Sequence, residues 1–148
     1  MLHTFGGIME YPREPQPSFH STAALERELR EELNVTVADI VSRTVLGLVR
    51  DRITHQPELL FEIRVALSAE TLAARRGGAA SADEHADVLA VAAADDELAS
   101  FLARHREAVS PVAQAALLLF GCFRWHQDWF RRLTLLLYGQ VLPLPPTA

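Results

Sequence analysis

Apolar residues recur at every fourth position between residues 21 and 33, which predicts an amphipathic helix with one buried stripe. That stripe consists of Leu25, Leu29 and Leu33. Ser21 or Thr22 is placed to cap the first turn. Asn34 follows the last leucine, and asparagine tolerates the left-handed backbone conformation that ends many helices. The pattern therefore predicts a helix that ends at Leu33.

Two later segments carry the composition of β-strands. Residues 44–50 are short and rich in β-branched side chains. Residues 59–67 alternate, so that one face of the strand is wholly apolar. The apolar face consists of Leu59, Phe61, Ile63, Val65 and Leu67. Residues 88–92 are a third candidate, as a buried strand.

Proline, glycine and capping residues delimit the early loops and the short helices. The stretch from residue 5 to residue 19 holds two glycines and three prolines, which is typical of a loop. Ser68 is expected to start a short helix that ends at Arg75, and a glycine-rich loop follows as far as Asp83. Asp95 is expected to cap a further helix.

The last part of the chain is predicted to be helical and apolar. Ser110 precedes Pro111, and proline is favoured at the first helical position. We expect one long helix over residues 111–138 and irregular structure from Leu142, where three prolines follow. Trp125 and Trp129 are four residues apart, which favours packing in a core over stacking on a base. Helices around a sheet predict an α+β or α/β fold.

Length and composition limit the class of protein. The chain has 148 residues, 49% of them hydrophobic and 22% charged, which suits one domain with a packed core. A net charge of −5 argues against a nucleic-acid-binding protein. No secretion signal is recognisable, and the longest apolar run, residues 115–123, is too short to span a membrane, so we expect a cytoplasmic protein. The single cysteine, Cys122, lies in that run and is expected to be an inert core thiol.

Three carboxylates share a flank of the first helix, beside the leucine stripe. They are Glu28, Glu31 and Glu32. Glu28 and Glu32 are four residues apart, a spacing at which like charges repel and weaken a helix. A divalent cation such as Mg²⁺ would relieve that repulsion, because it prefers oxygen ligands. The alternative is a solvated charged face that Arg27 and Arg30 screen, and on the helix alone this alternative is favoured.

The sequence around these glutamates resembles the box of the Nudix hydrolases. That box has a glycine, then a glutamate, and then Arg-Glu-aliphatic-any-Glu-Glu-any-Gly-aliphatic. Residues 27–35 match its second half at each fixed position except the glycine, where Asn34 stands. Gly6 and Gly7 resemble the glycines that open the box, although they lie further upstream, and Phe19 occupies the position of the first glutamate.

Two of these departures, the insertion after the glycines and Asn34 in place of glycine, resemble the Nudix hydrolases that split UDP-glucose and UDP-galactose. Several short segments downstream resemble the same group. The resemblance implies an α+β fold, an α/β/α sandwich in which helices flank a mixed sheet, with its box over residues 6–35. Strands that precede the box in the family are expected to be missing here. The chain is then a truncated form, the product of a misassigned start, or a degenerate remnant.

The resemblance also implies a reaction and its residues. Mg²⁺, or Mn²⁺ in its place, would be held by Glu28 and Glu32 together with Glu31. Water would attack the diphosphate of a nucleotide sugar and release UMP and a sugar 1-phosphate. The general base would be a box glutamate such as Glu31, or Glu84 from a distant loop. The substrate-binding candidates are Gly6, Gly7 and Arg27, with Arg27 expected mainly to orient the box carboxylates.

Two other classes of function stay open. The first is a Nudix-like binding or regulatory module without catalytic activity, which the departures from the box favour. The second is an interaction protein that pairs through its apolar C-terminal helix. Missing front strands would leave an unpaired sheet edge near residues 59–67 or near the glycine loop. Such edges recruit other chains, so we also expect a homodimer or a tendency to aggregate.

Overall fold

A computed structural model describes residues 21–50, 55–80 and 88–145 of the chain. Five helices and two strands lie in these ranges, in the order α1 (Ser21–Leu33), β1 (Ile40–Arg50), β2 (Pro57–Val65), α2 (Ala69–Arg76), α3 (Asp95–His105), α4 (Pro111–Trp125) and α5 (Gln127–Tyr138). A single 3₁₀ turn, Val37–Asp39, precedes β1. The two strands pair as an antiparallel sheet. The described part therefore mixes helix and strand, as expected of an α+β protein, but its sheet has two antiparallel strands.

The first predicted helix is confirmed, together with its end. α1 covers Ser21–Leu33, and Asn34 adopts a positive φ of 55°. The N–H of Asn34 donates to the carbonyl of Arg30, and the N–H of Val35 donates to the carbonyl of Leu29, each at 3.1 Å. These bonds satisfy carbonyls that a helix end would otherwise leave without partners.

Both predicted strands are present, with shifted limits. β1 begins at Ile40, four residues earlier than the sequence predicted, and β2 ends at Val65. The buried residue of β2 does not belong to the predicted apolar face. It is Leu60, which alternates with that face and packs with Leu46 and Ala116. Alternation along one strand identifies an apolar face but not every surface that packs against the strand.

The described residues group into two compact units. One unit combines residues 21–42, 63–80 and 88–90. Its core is formed by Leu29 and Leu33 of α1 and by Val35, which is almost completely buried. Partly buried apolar residues pack around them: Leu25, Ile40, Ile63, Val65, Leu67 and Leu72. The predicted leucine stripe is therefore the centre of this core.

The other unit combines residues 43–50, 55–62 and 91–145, and its larger core lies among α3, α4 and α5. The core residues are Leu98, Phe101, Leu102, Val109, Ala113, Leu118, Cys122, Trp129, Phe130, Leu133 and Leu137. The indole N–H of Trp129 donates to the carbonyl of Asp95 at 3.0 Å, so this buried polar group is satisfied. Cys122 is buried as predicted, and burial raises the pKa of its thiol. No helix in the described ranges has the length and apolar composition to cross a membrane.

Three predictions for this unit need correction. The expected single helix over residues 111–138 is two helices, because His126 breaks it with a φ of 80°. Trp125 and Trp129 do pack, with ring centroids 5.1 Å apart, but they belong to different helices. Residues 88–92 form no strand, and Asp95 is the first helical residue while Ala94 is the N-cap. Ser110 and Pro111 start α4 as predicted.

Candidate functional site

The three glutamates of α1 lie in different environments. Glu32 is 3% exposed, the side chain of Glu28 is 19% exposed and that of Glu31 is 41% exposed. At 3.6 residues per turn they lie about 60°, 100° and 160° from Leu29, the centre of the buried stripe. Burial therefore follows angular distance from the core. The helix presents one enclosed carboxylate and two that solvent or a ligand can reach.

Arg27 contacts the two more exposed carboxylates. Its Nη2 donates to Oε1 of Glu28 at 2.8 Å, and its Nε lies 4.0 Å from Oε2 of Glu31. The guanidinium carries a permanent charge and has several donors in a fixed plane, so it can hold two carboxylates in defined positions. Arg27 therefore links Glu28 and Glu31 on one flank of α1.

The end of α1 is tied to the end of α2. The side-chain amide of Asn34 donates to the carbonyl of Arg75 at 3.4 Å. A Cβ built on Gly78, in the turn after α2, would lie 3.8 Å from the Asn34 amide nitrogen, which is ordinary contact distance. Asn34 thus closes α1 with its backbone and contacts a second helix with its side chain.

A second link joins the same two regions through Asp39. One oxygen of its carboxylate, Oδ2, accepts hydrogen bonds from the Thr36 N–H at 2.9 Å and the Thr36 hydroxyl at 2.7 Å. The same oxygen accepts from Nη1 of Arg75 at 2.9 Å. The bonds from Thr36, followed by the Arg75 guanidinium, hold the pKa of Asp39 below its ordinary value of 3.8. Asp39 is therefore charged at neutral pH, and its link to Arg75 is an ion pair.

The chemistry of the site residues fits Mg²⁺ without forming a complete cage for it. Magnesium commonly takes one or two protein carboxylates and completes its shell with water and substrate phosphates. Glu28 and Glu31 can supply such oxygens, since both are partly exposed. Within the described ranges, no group of three or more His, Cys, Asp or Glu residues is placed to hold a metal ion.

Several predicted site residues fall where the structure gives no description. Gly6, Gly7 and Glu84 lie outside the described residues, as do Phe19 and the neighbours of Glu84. Of the predicted site residues that the structure describes, Arg27 lies in contact with Glu28 and Glu31. Glu32 lies on the same helix and is turned toward the core.

The link between Asn34, Asp39 and Arg75 was not predicted from the sequence. Arg75 was identified there only as the end of a short helix. The contact spans 36 residues between Asp39 and Arg75 and 41 between Asn34 and Arg75, so local spacing carries no sign of it. The one available signal was Asn34 itself, a residue with a polar side chain where the Nudix box has glycine.

Comparison of the chain with protein-family models, with curated proteins and with solved structures gave no match. The assignment of a function therefore depends on the residues and geometry of α1 and its surroundings.

Proposed function

We propose that the chain is a Mg²⁺-dependent hydrolase of the Nudix type that acts on the diphosphate of a nucleotide sugar such as UDP-glucose. The observation that carries the proposal is the conformation of Asn34. It stands where the Nudix box has glycine, and it has the positive φ that glycine adopts most easily. This conformation supports the proposal, because it is one that a glycine at the same position of the box would also fit.

The arrangement around Arg27 supports the same proposal. Neighbouring carboxylates repel each other, and the Arg27 guanidinium offsets this repulsion at Glu28 and Glu31. It holds both side chains on the same side of α1, beside the enclosed Glu32.

Each residue has a proposed role. Glu28 and Glu31, with Glu32 behind them, would hold Mg²⁺, and Arg27 would fix their orientation. When bound, the metal would neutralise charge on the diphosphate and lower the pKa of the attacking water. Glu31 or Glu84 would accept the proton of that water, and the products would be UMP and a sugar 1-phosphate.

Arg27 also lines a shallow groove beside α1. The groove has a volume of about 360 Å³, and Arg27, Arg30, Thr36 and Val37 are among the residues that line it. Guanidinium groups bind phosphate well, and valine side chains offer an apolar wall. The groove supports a contact between Arg27 and substrate in addition to its contact with the glutamates.

The test is product analysis after incubation with UDP-glucose. We expect UMP and glucose 1-phosphate to appear in equal amounts with Mg²⁺ and to be absent with EDTA. Parallel reactions with other nucleoside diphosphate compounds establish the substrate class. Hydrolysis of none of them, under conditions in which the chain is folded by circular dichroism, would contradict the proposed activity.

A second candidate function is a Nudix-like binding module without turnover. The specific observation in its favour is that the described residues contain no complete metal-binding group. Calorimetric titration with UDP-glucose distinguishes the two functions. Saturable binding of intact UDP-glucose, with no UMP formed in the presence of Mg²⁺, would favour the binding module.

A further inference from the structure

One residue of α2 anchors the segment that follows α1, and it does so in two ways. The backbone carbonyl of Arg75 accepts from the Asn34 side chain, and the guanidinium of Arg75 binds Asp39. Thr36, between these two positions, donates two hydrogen bonds to the same Asp39 carboxylate oxygen. Residues 34–39 are therefore held at both of their ends by Arg75.

Glycine at position 34 could provide only part of this arrangement. It would adopt the left-handed backbone conformation with less strain than asparagine. It has no side chain, however, and could not reach the Arg75 carbonyl. Asparagine at this position thus adds a link between two helices to the turn that ends α1.

This link lies next to two of the three glutamates. Glu31 and Glu32 are in the last turn of α1, three and two residues before Asn34, respectively. A shift or rotation at the end of the helix moves the last turn directly, because its hydrogen bonds connect residues 29 and 30 to residues 34 and 35. Carboxylates that share a metal and a substrate must be held within about 0.5 Å of the positions in which the site is active.

We propose that Asn34 and Arg75 are a pair of positioning residues that hold the last turn of α1, and with it Glu31 and Glu32, in register for the metal and the diphosphate. The pair acts through these glutamates and touches neither substrate nor metal. This inference rests on the proposed hydrolase function.

Two variants remove the link from opposite sides. Asn34→Gly keeps the backbone conformation and removes only the side-chain amide. Arg75→Gln keeps the carbonyl and removes the ion pair with Asp39. The matched control is Arg64→Gln, which changes an exposed arginine of β2. Circular dichroism verifies that all three variants fold.

Two readouts separate positioning from catalysis. Amide hydrogen exchange, followed by mass spectrometry, reports how firmly residues 29–36 are held without any metal or substrate. Steady-state UMP release from UDP-glucose reports kcat and KM. We expect exchange at residues 29–36 to accelerate in Asn34→Gly and Arg75→Gln. We expect kcat to fall by about ten- to a hundredfold, with KM nearly unchanged, as for other residues that orient metal ligands.

The outcomes are distinguishable. Unchanged exchange in both variants overturns the proposal, and so does faster exchange with an unchanged kcat. Equal loss of activity in Arg64→Gln also overturns it, since that residue is outside the link. If the wild-type protein releases no UMP while exchange accelerates in the two variants, the hydrolase function fails and the anchoring of α1 is still supported.

Discussion

The indole ring of Trp129 in α5 packs directly on the backbone of Gly121 in α4. A Cβ at residue 121 would overlap three carbon atoms of that ring. Trp129 is buried in the larger core, and its N–H is bound to the Asp95 carbonyl, so the ring has little room to move. The close approach of α4 and α5 therefore depends on the absence of a side chain at position 121.

From this contact we predict that Gly121→Ala destabilises the protein, although alanine favours helix. Overpacking of a core usually costs about 1–3 kcal/mol, and the severity of this overlap places the variant at the upper end of that range. Urea denaturation followed by circular dichroism measures the change. The matched control is Gly77→Ala, where a Cβ would lie 3.7 Å from the Ala74 carbonyl oxygen and the backbone is helical. Equal stability of Gly121→Ala and Gly77→Ala would contradict the packing described for α4 and α5.

The thiol of Cys122 is predicted to react slowly in the folded protein. It is buried in the core, and burial raises its pKa, which lowers the fraction of reactive thiolate. Because the chain has one cysteine, alkylation by iodoacetamide at pH 8 reports this site alone. We expect fast labelling in urea and slow labelling in buffer. Labelling in buffer as fast as in urea would show that the Cys122 thiol is accessible in the folded protein, which would contradict its burial.

The link between Asp39 and Arg75 predicts a dependence of stability on pH. The pKa of Asp39 is lower in the folded protein than in the unfolded chain, so folding is favoured where the carboxylate is charged. This contribution is complete above the ordinary pKa of 3.8 and is lost as the pH falls through the lower value of the folded state. Asp39→Asn should therefore be less stable than wild type at pH 7.

The same comparison at low pH completes this test. The difference in unfolding free energy between wild type and Asp39→Asn should stay constant from pH 7 to about pH 5 and shrink below the ordinary aspartate pKa. Urea denaturation across this range measures it. A difference that does not change with pH would mean that the Asp39 charge contributes nothing to stability.

Self-association is the fourth prediction, and it follows from the sheet. Within the described ranges the sheet has two strands, and a two-stranded sheet is rarely stable alone. Unpaired strand edges tend to pair with another chain. We therefore expect a homodimer in sedimentation velocity. A monomer at all concentrations would contradict this expectation.

The elements that were predicted correctly are specified by residues inside them or directly beside them. The leucine stripe and the end of α1 were predicted, because the leucines and Asn34 lie within one segment; Ser21 and Thr22, expected to cap the helix, are helical residues. β1 and β2 were also found, with shifted ends. Ser110 and Pro111 marked the start of α4, because capping and a proline at the first helical position act locally.

The elements that were missed depend on distant contacts or on an unusual backbone. No glycine or proline lies at the helix break at His126, and the apolar pattern continues across the break. Residues 88–92 have strand-like composition, but a strand also needs a partner, and local sequence does not supply one.

The candidate site also has a part that local sequence predicts and a part that depends on distant contacts. A helical wheel placed Glu28, Glu31 and Glu32 on one flank, and their order of burial follows from the same angles. The tie from Asn34 and Asp39 to Arg75 could not be predicted, because it joins segments that only the fold brings together.

The hydrolase proposal is tested most directly by the rate of UMP release from UDP-glucose as a function of Mg²⁺ concentration, in wild type, Glu28→Gln and Glu97→Gln. Both substitutions remove one carboxylate from a helix, but Glu97 is an exposed residue of α3 and lies outside the residues of the box. We expect Mg²⁺-dependent release in wild type and Glu97→Gln, and a loss of at least about tenfold in Glu28→Gln. Equal rates in the two variants, or release that does not depend on Mg²⁺, would contradict the proposal.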